Sequence, residues 1–309
     1  MALDVRPVIP SRFFGHKSRG AAPSSRIGAY IALMKLRVVE LLLVTTVPTM
    51  VLAEGGWPSI QLMAITLIGG TLAAGGANAI NMYIDRDIDK LMVRTQNRPL
   101  VTGALTPRAA MIFAIALEIV AFLVLWAGAN LLAAVLAVSA TLFYVFVYSL
   151  WLKRTSKQNI VIGGAAGAMP VLVGWAAVTN SLGWAPVVLF VVIFLWTPPH
   201  FWALAIRHAD DYKAAGVPMM PVVVSLERTI RSMTTYAVLL TLSTLVLVPV
   251  ADLGWVYGIT AMVFGVAFVI GSVRLGSDPS PKRSMRLFTF SITYVTAVFV
   301  ALTVDVLLR

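Results

Sequence analysis

The chain has no cysteine, so disulfides, thiolate nucleophiles and Cys-based metal or cluster sites are excluded outright. Charge is scarce as well. Only 12% of the 309 residues are charged, and 13 acids with 3 histidines limit where general acids, bases or metal ligands can sit. Most of the chain is apolar, at 59% hydrophobic, which excludes a soluble globular domain and points to a polytopic membrane protein. Apolar stretches fall near 28–53, 59–84, 107–127, 130–151, 158–178, 184–206, 228–250, 254–274 and 286–307. The expected fold is therefore all-α, with about nine transmembrane helices.

A net charge of +11 is common among nucleic-acid binders, but here its distribution follows the spans. With a cytoplasmic N-terminus and alternating spans, every Lys and Arg except Arg309 falls on the inner side. That is the positive-inside pattern; it predicts an N-in, C-out chain and no nucleic-acid partner. Residues 1–27 read as a basic cytoplasmic tail preceding a transmembrane domain over 28–309. The tail also has the composition of a mitochondrial transit peptide, but Pro7, Pro10 and Pro23 interrupt any amphipathic helix, so a bacterial inner membrane is expected over a mitochondrial one. The long loops, 85–106, 207–227 and 275–285, all fall inside, which places function at the cytoplasmic face.

The second span ends in Asn81-Met-Tyr-Ile-Asp85-Arg-Asp-Ile-Asp89. Steps of four advance a helix by about 40°, so Asn81, Asp85 and Asp89 point broadly one way. A lone acid at a helix end is ordinarily solvated, but three such groups, with Asn81 set back in apolar sequence, are costly unless they hold something. Oxygen-only donors point to a hard cation, magnesium bridging a diphosphate. Asp210 and Asp211 close the sixth span in the same orientation and supply candidate ligands for a second magnesium, Asp211 preferred.

Cations surround these acids in sequence. Arg37 in the first span, Lys90, Arg94 and Arg98 after the acidic run, and Lys153 and Arg154 at the end of the fourth span are candidate diphosphate contacts. Each is also explained by anchoring at a membrane interface. Thr197-Pro-Pro-His200-Phe-Trp202 interrupts the sixth span, and proline pairs of this kind mark cavity walls. His200 reads equally as a hydrogen-bonded core histidine, an axial iron ligand or a polar contact to an acceptor.

Asn81-x3-Asp85-x3-Asp89, continuing into Arg94-Thr95 and Asn97-Arg98-Pro99-Leu100, resembles the first signature of the UbiA-type intramembrane prenyltransferases. Tyr148–Arg154, Gln158–Pro170, Thr197–Trp202 and Asp211–Pro221 are similar to the branch of that family that farnesylates haem. The resemblance implies a helix bundle around a central cavity, with farnesyl diphosphate and haem b as substrates. It further implies Mg2+ on Asn81, Asp85, Asp89 and the second acidic cluster, with Tyr148 beside an allylic cation. Implied downstream partners are a haem A synthase or terminal-oxidase assembly factors. A quinone-precursor or chlorophyll-type acceptor is the neighbouring alternative. An ion-coupled transporter is more remote, because the acids lie at one membrane face and not at the midplane. Two departures stand out: Leu36 replaces the usual proline between Lys35 and Arg37, and His208 and Tyr212 fall at the spacing of the second signature's aspartates.

Overall fold

The computed structural model describes residues 25–309, with the side chains of 37–43 left aside; most of the basic tail and the side chain of Arg37 lie outside the described residues. Ten helices carry the fold. They are α1 (Arg26–Met34), α2 (Leu36–Glu54), α3 (Ile60–Ile84), α4 (Pro107–Gly128), α5 (Leu131–Thr155), α6 (Asn159–Thr179), α7 (Trp184–Arg207), α8 (Leu226–Val250), α9 (Trp255–Ser277) and α10 (Pro281–Leu307). Among the described residues, α3 to α10 are the eight helices long and apolar enough to cross a membrane. The apolar stretch at 28–53 is carried by α1 and α2.

Helix boundaries follow from local chemistry. Ser59, Thr106, Asn130, Ser225 and Ser280 each accept a backbone N–H from the first turn of the helix they precede. Gly55 ends α2 in the left-handed region, with φ 70°. The first span is broken without glycine or proline: Lys35 itself adopts φ 51°, ending α1 and starting α2. The break sits beside Leu36, the position where the family pattern has proline.

Neighbouring helices pack in chain order, and α2 closes the bundle against α6 and α10. One large core joins α6 to α10 around Trp196, Trp202, Tyr257, Phe268 and Tyr294. A second, built almost wholly of alanine, joins α3 to α6. Small residues there let backbones approach closely: a Cβ on Gly76 would sit 2.6 Å from Glu118 Oε1, which in turn accepts from Thr141 Oγ1 at 3.1 Å. At the end where α3 and α7 stop, Ile88, Met92, Ile160, Tyr212, Val217 and Met219 form a small apolar cap. At the opposite end Asp305 accepts the backbone N–H of Gly254 (2.6 Å) and Tyr257 (3.2 Å), fixing the start of α9 onto α10.

Candidate active site

The chain leaves α3 without unwinding at once. The N–H of Asp85 bonds the Asn81 carbonyl and that of Asp89 bonds the Asp85 carbonyl, so the helical spacing of the three side chains persists past Ile84. All three are buried, Asp85 completely. Each finds partners from a different element. Asn81 Nδ2 donates to Asp85 Oδ2 (2.8 Å) and to Ser149 Oγ (3.1 Å), while its Oδ1 accepts from Lys35 Nζ (2.9 Å). Asp85 Oδ2 also pairs with the Lys153 ammonium, and Arg98 reaches Asp89 Oδ2 at 2.5 Å. The helix break at Lys35 thus delivers a cation that propensity rules give no reason to expect inside the bundle.

The wall opposite α3 is the lower part of α5. Residues Phe143–Leu152 wind in wide π turns, seen in Ser149 Oγ donating to the carbonyl of Tyr144 five residues back (2.9 Å). The winding stacks Tyr144 on Tyr148, with ring centroids 5.3 Å apart. It also brings Ser149 and Lys153 to face Asn81 and Asp85. Gly163 on α6 makes room: a Cβ there would lie 2.3 Å from Tyr148 Cδ2. Tyr148 is consequently wedged between α5 and α6, one to two turns deeper than Lys153.

Arg154 sits at the edge. Its guanidinium grips both oxygens of Asp87 at 2.7 Å, bonds the Ile84 carbonyl and stands 4.0 Å from Asp85 Oδ1. The Arg154 hydrogen bonds hold the Asp87 carboxyl well below the usual carboxylate range. Asp89 moves the other way: burial pushes it up, against the pull of Arg98. Lys90 is exposed and faces outward, lining a surface cleft of about 680 Å3 with Arg86, Tyr83 and Arg154.

The loops after α3 and α7 meet. Asp211 Oδ1 accepts the N–H of Val93 (3.3 Å), its other oxygen lies 3.9 Å from His208 Nδ1, and Arg94 donates to Tyr212 Oη (3.0 Å) while covering its ring. Asp210 is exposed. His200 is elsewhere, in the core of α7 and α10, stacked between Trp196 (4.1 Å) and Phe288 (4.4 Å) with Nδ1 on Ser291 Oγ (2.6 Å).

The donor chemistry fits a hard divalent cation. Asp85 Oδ1 and Asp89 Oδ1 are buried carboxylate oxygens without a hydrogen-bond donor, and they lie one helical turn apart beside the Asn81 amide. Among the described residues no three His, Asp or Glu side chains converge on one point. A metal here therefore needs Asn81 or substrate oxygens to complete its shell, as magnesium bound to phosphates commonly does.

Comparison with known proteins decides the family. Residues 42–296 match the UbiA prenyltransferase family. The chain belongs to it. Among similar proteins is a protoheme IX farnesyltransferase of Frankia casuarinae, 54% identical over 290 residues that cover 92% of this chain and 99% of the relative. Another, from Clavibacter sepedonicus, is 52% identical over 288 residues, 91% of this chain and 92% of the relative. The UbiA fold is shared with a structure of digeranylgeranylglyceryl phosphate synthase, at TM-score 0.77 and 18% identity over 92% of this chain and 99% of that one. It is shared too with a UbiA homolog from Archaeoglobus fulgidus bound to DMAPP and Mg2+, at TM-score 0.62 and 18% identity over 89% of this chain and 99% of that one.

Sequence reasoning singled out Asn81, Asp85, Asp89, Arg98 and Lys153, and the fold brings these five together. Arg154 joins them at the rim. Ser149 carried no signal, and Lys35 carried an ambiguous one, a cation inside an apolar span that snorkelling explained equally well.

Proposed function

We propose that the protein transfers the farnesyl group of farnesyl diphosphate to a vinyl group of haem b, with addition of water, giving haem O and pyrophosphate. The single observation that carries the chemistry is the buried set Asn81, Asp85 and Asp89, ringed by Lys35, Arg98 and Lys153 at one end of the bundle. The haem acceptor rests on the family branch to which the similar proteins belong.

Asn81, Asp85 and Asp89 would hold Mg2+, and Asp211, with Asp210 behind it, is the reserve of carboxylate for a second ion. Bound there, the metal supplies charge stabilisation to the departing diphosphate. Lys153, Lys35, Arg98 and Arg154 orient the phosphate oxygens and offset the charge that develops as the carbon–oxygen bond breaks. Arg94, with Tyr212, ties the two loops into a cover that keeps bulk water from the cation. Tyr148, deeper than the cations and backed by Tyr144, presents a ring to the allylic carbons. His200 would contribute to the acceptor side by shaping its wall. Lys90 attracts the anionic substrate to the rim. The long loops at this end and the positive-inside pattern of the sequence support a reading in which the site opens to the cytoplasmic face of a bacterial inner membrane.

The test is to incubate purified protein in detergent with farnesyl diphosphate, reduced haem b and magnesium, and to analyse the porphyrin by mass spectrometry. Farnesylated, hydrated haem that disappears with EDTA is the expected result. Magnesium-dependent loss of prenyl diphosphate only with a non-haem acceptor would overturn the haem assignment and keep the prenyltransferase.

A further inference from the structure

The Gln158–Pro170 stretch opens α6 directly after the Lys153-Arg154 turn, and its second residue has no place in the chemistry described so far. Asn159 is 0% exposed. Neither its Nδ2 nor its Oδ1 has a hydrogen-bond partner among the described residues. A primary amide offers two donors and two acceptor sites, and burying it unpaired costs stability that a leucine of similar volume would not. Its backbone N–H bonds the carbonyl of Ser156 (3.2 Å), so the turn fixes where the side chain leaves the helix.

Register and packing locate that side chain. Gly163 is one turn further along the same face and touches the Tyr148 ring. Ile160, the next residue, packs with Ile88, Met92 and Tyr212 under the loop that carries Asp89. Asn159 therefore lies on the side of α6 turned to the π-wound part of α5 and the acidic loop, one turn nearer the membrane surface than Tyr148. It is also the first residue of a 21-residue helix; the N–H groups of Gln158 and Asn159 are taken by Ser156, but the positive dipole end of the helix still favours an anion. The helix end and the orphaned amide point to one ligand chemistry, an anionic oxygen.

We infer that Asn159 and the first turn of α6 bind a phosphate oxygen of the prenyl diphosphate, on the side away from Asp85, with Nδ2 as the donor. The inference rests on the prenyltransferase reading above. A neutral donor suits the position, because Lys35, Lys153 and Arg98 already crowd positive charge around Asp85 and Asp89. An extra hydrogen bond holds the diphosphate without adding to that repulsion.

The experiment measures thermal unfolding of the purified full chain alone, with Mg2+ and the unreactive analogue farnesyl thiodiphosphate, and with haem b. Wild type is compared with Asn159→Leu, and with Asn159→Ala, which adds no atoms. Without ligand, Asn159→Leu is expected to unfold at or above the wild-type temperature. Its affinity for the thiodiphosphate, taken from the shift against concentration, should fall about tenfold in both variants, and the haem shift should persist. Variants that unfold early yet keep wild-type affinity would make Asn159 a structural residue and overturn the inference. Loss of the haem shift alone would assign the amide to a porphyrin carboxylate and overturn it equally. A wild type that gains nothing from the thiodiphosphate overturns the prenyltransferase reading along with it, which separates the two failures.

Discussion

Lys153→Met isolates the electrostatics of the site. The substitution keeps the length and apolar stem of the side chain and deletes only the ammonium that pairs with Asp85. Asp85 is 0% exposed and Lys153 12% exposed, so the partner left behind is a carboxylate with little access to water. Breaking such a buried pair costs about 3–5 kcal/mol. Arg154, 4.0 Å from the other carboxylate oxygen, and the Asn81 amide remain, which places the loss near the lower end of that range. A destabilisation of about 3 kcal/mol lowers the unfolding midpoint of a domain this large by roughly 4–6 °C. Asp85→Asn in the same chain removes the stranded charge and should recover most of the loss. Turnover should fall by about 10²-fold or more in Lys153→Met and stay low in the double variant, because the leaving group has lost its cation in both. The assay is thermal unfolding in detergent of the two single variants and the double variant, in EDTA, beside single-turnover kinetics. A Lys153→Met midpoint within the error of wild type, or a double variant no more stable than Lys153→Met, would refute the coupling.

Three further substitutions probe other parts of the molecule. Gly163→Ala pushes a methyl into the Tyr148 ring, at a cost of about 1–3 kcal/mol, and is expected to lower kcat more than substrate affinity; unchanged kcat would remove Tyr148 from the reacting centre. His200→Ala deletes a ring held between Trp196 and Phe288, lowering stability by about 2–4 kcal/mol. It should also weaken haem use more than farnesyl diphosphate binding, and equal loss of both in steady-state kinetics would leave His200 a packing residue alone. Asp305→Ala leaves the N–H groups of Gly254 and Tyr257 unpaired at the far end of the bundle, at a cost of about 2 kcal/mol in thermal unfolding. Its turnover per folded molecule should match wild type; a drop would mean the outer end of α9 and α10 communicates with the site.

What the sequence made legible depended on periodicity. Asn81, Asp85 and Asp89 were readable because a helical spacing of four survives beyond the apolar run, and α3 does continue its hydrogen bonding to Asp89. The bundle itself followed from span length. Lys35 was readable only as a cation inside an apolar span, equally explained by snorkelling: its left-handed backbone breaks the first span without glycine or proline, and no local rule places that break there. The π turns of Phe143–Leu152 left no mark either, since one or two extra residues per several turns do not separate from 3.6-residue periodicity in an all-apolar run. Asp87, which falls off the spacing of four, faces the rim and pairs with Arg154. The two acidic clusters were readable as lying at one end of the bundle, because the second and sixth spans close in the same orientation. Their actual contact, Asp211 on a backbone N–H and Arg94 on Tyr212, depends on loop conformation that residue types alone do not determine.

The charge balance of the inner site bears on how many metal ions it takes. Asp85 and Asp89 are met by Lys35, Arg98 and Lys153, which leaves one positive charge in excess within a buried volume. A prenyl diphosphate carrying roughly three negative charges, entering with one divalent cation, brings a net of about one negative charge and neutralises that excess. A second divalent cation would leave about two positive charges uncompensated where water is excluded, and charge of that kind is costly in a low-dielectric site. Asp211 is the acid in the facing loop that is half-buried and tied to Val93 by one oxygen, so turning it inward would exchange one backbone hydrogen bond for a metal ligand. A site that binds two ions must therefore recruit Asp211 and loosen the loop contact, whereas a site that binds one can leave the cover closed as Arg94 and Tyr212 hold it.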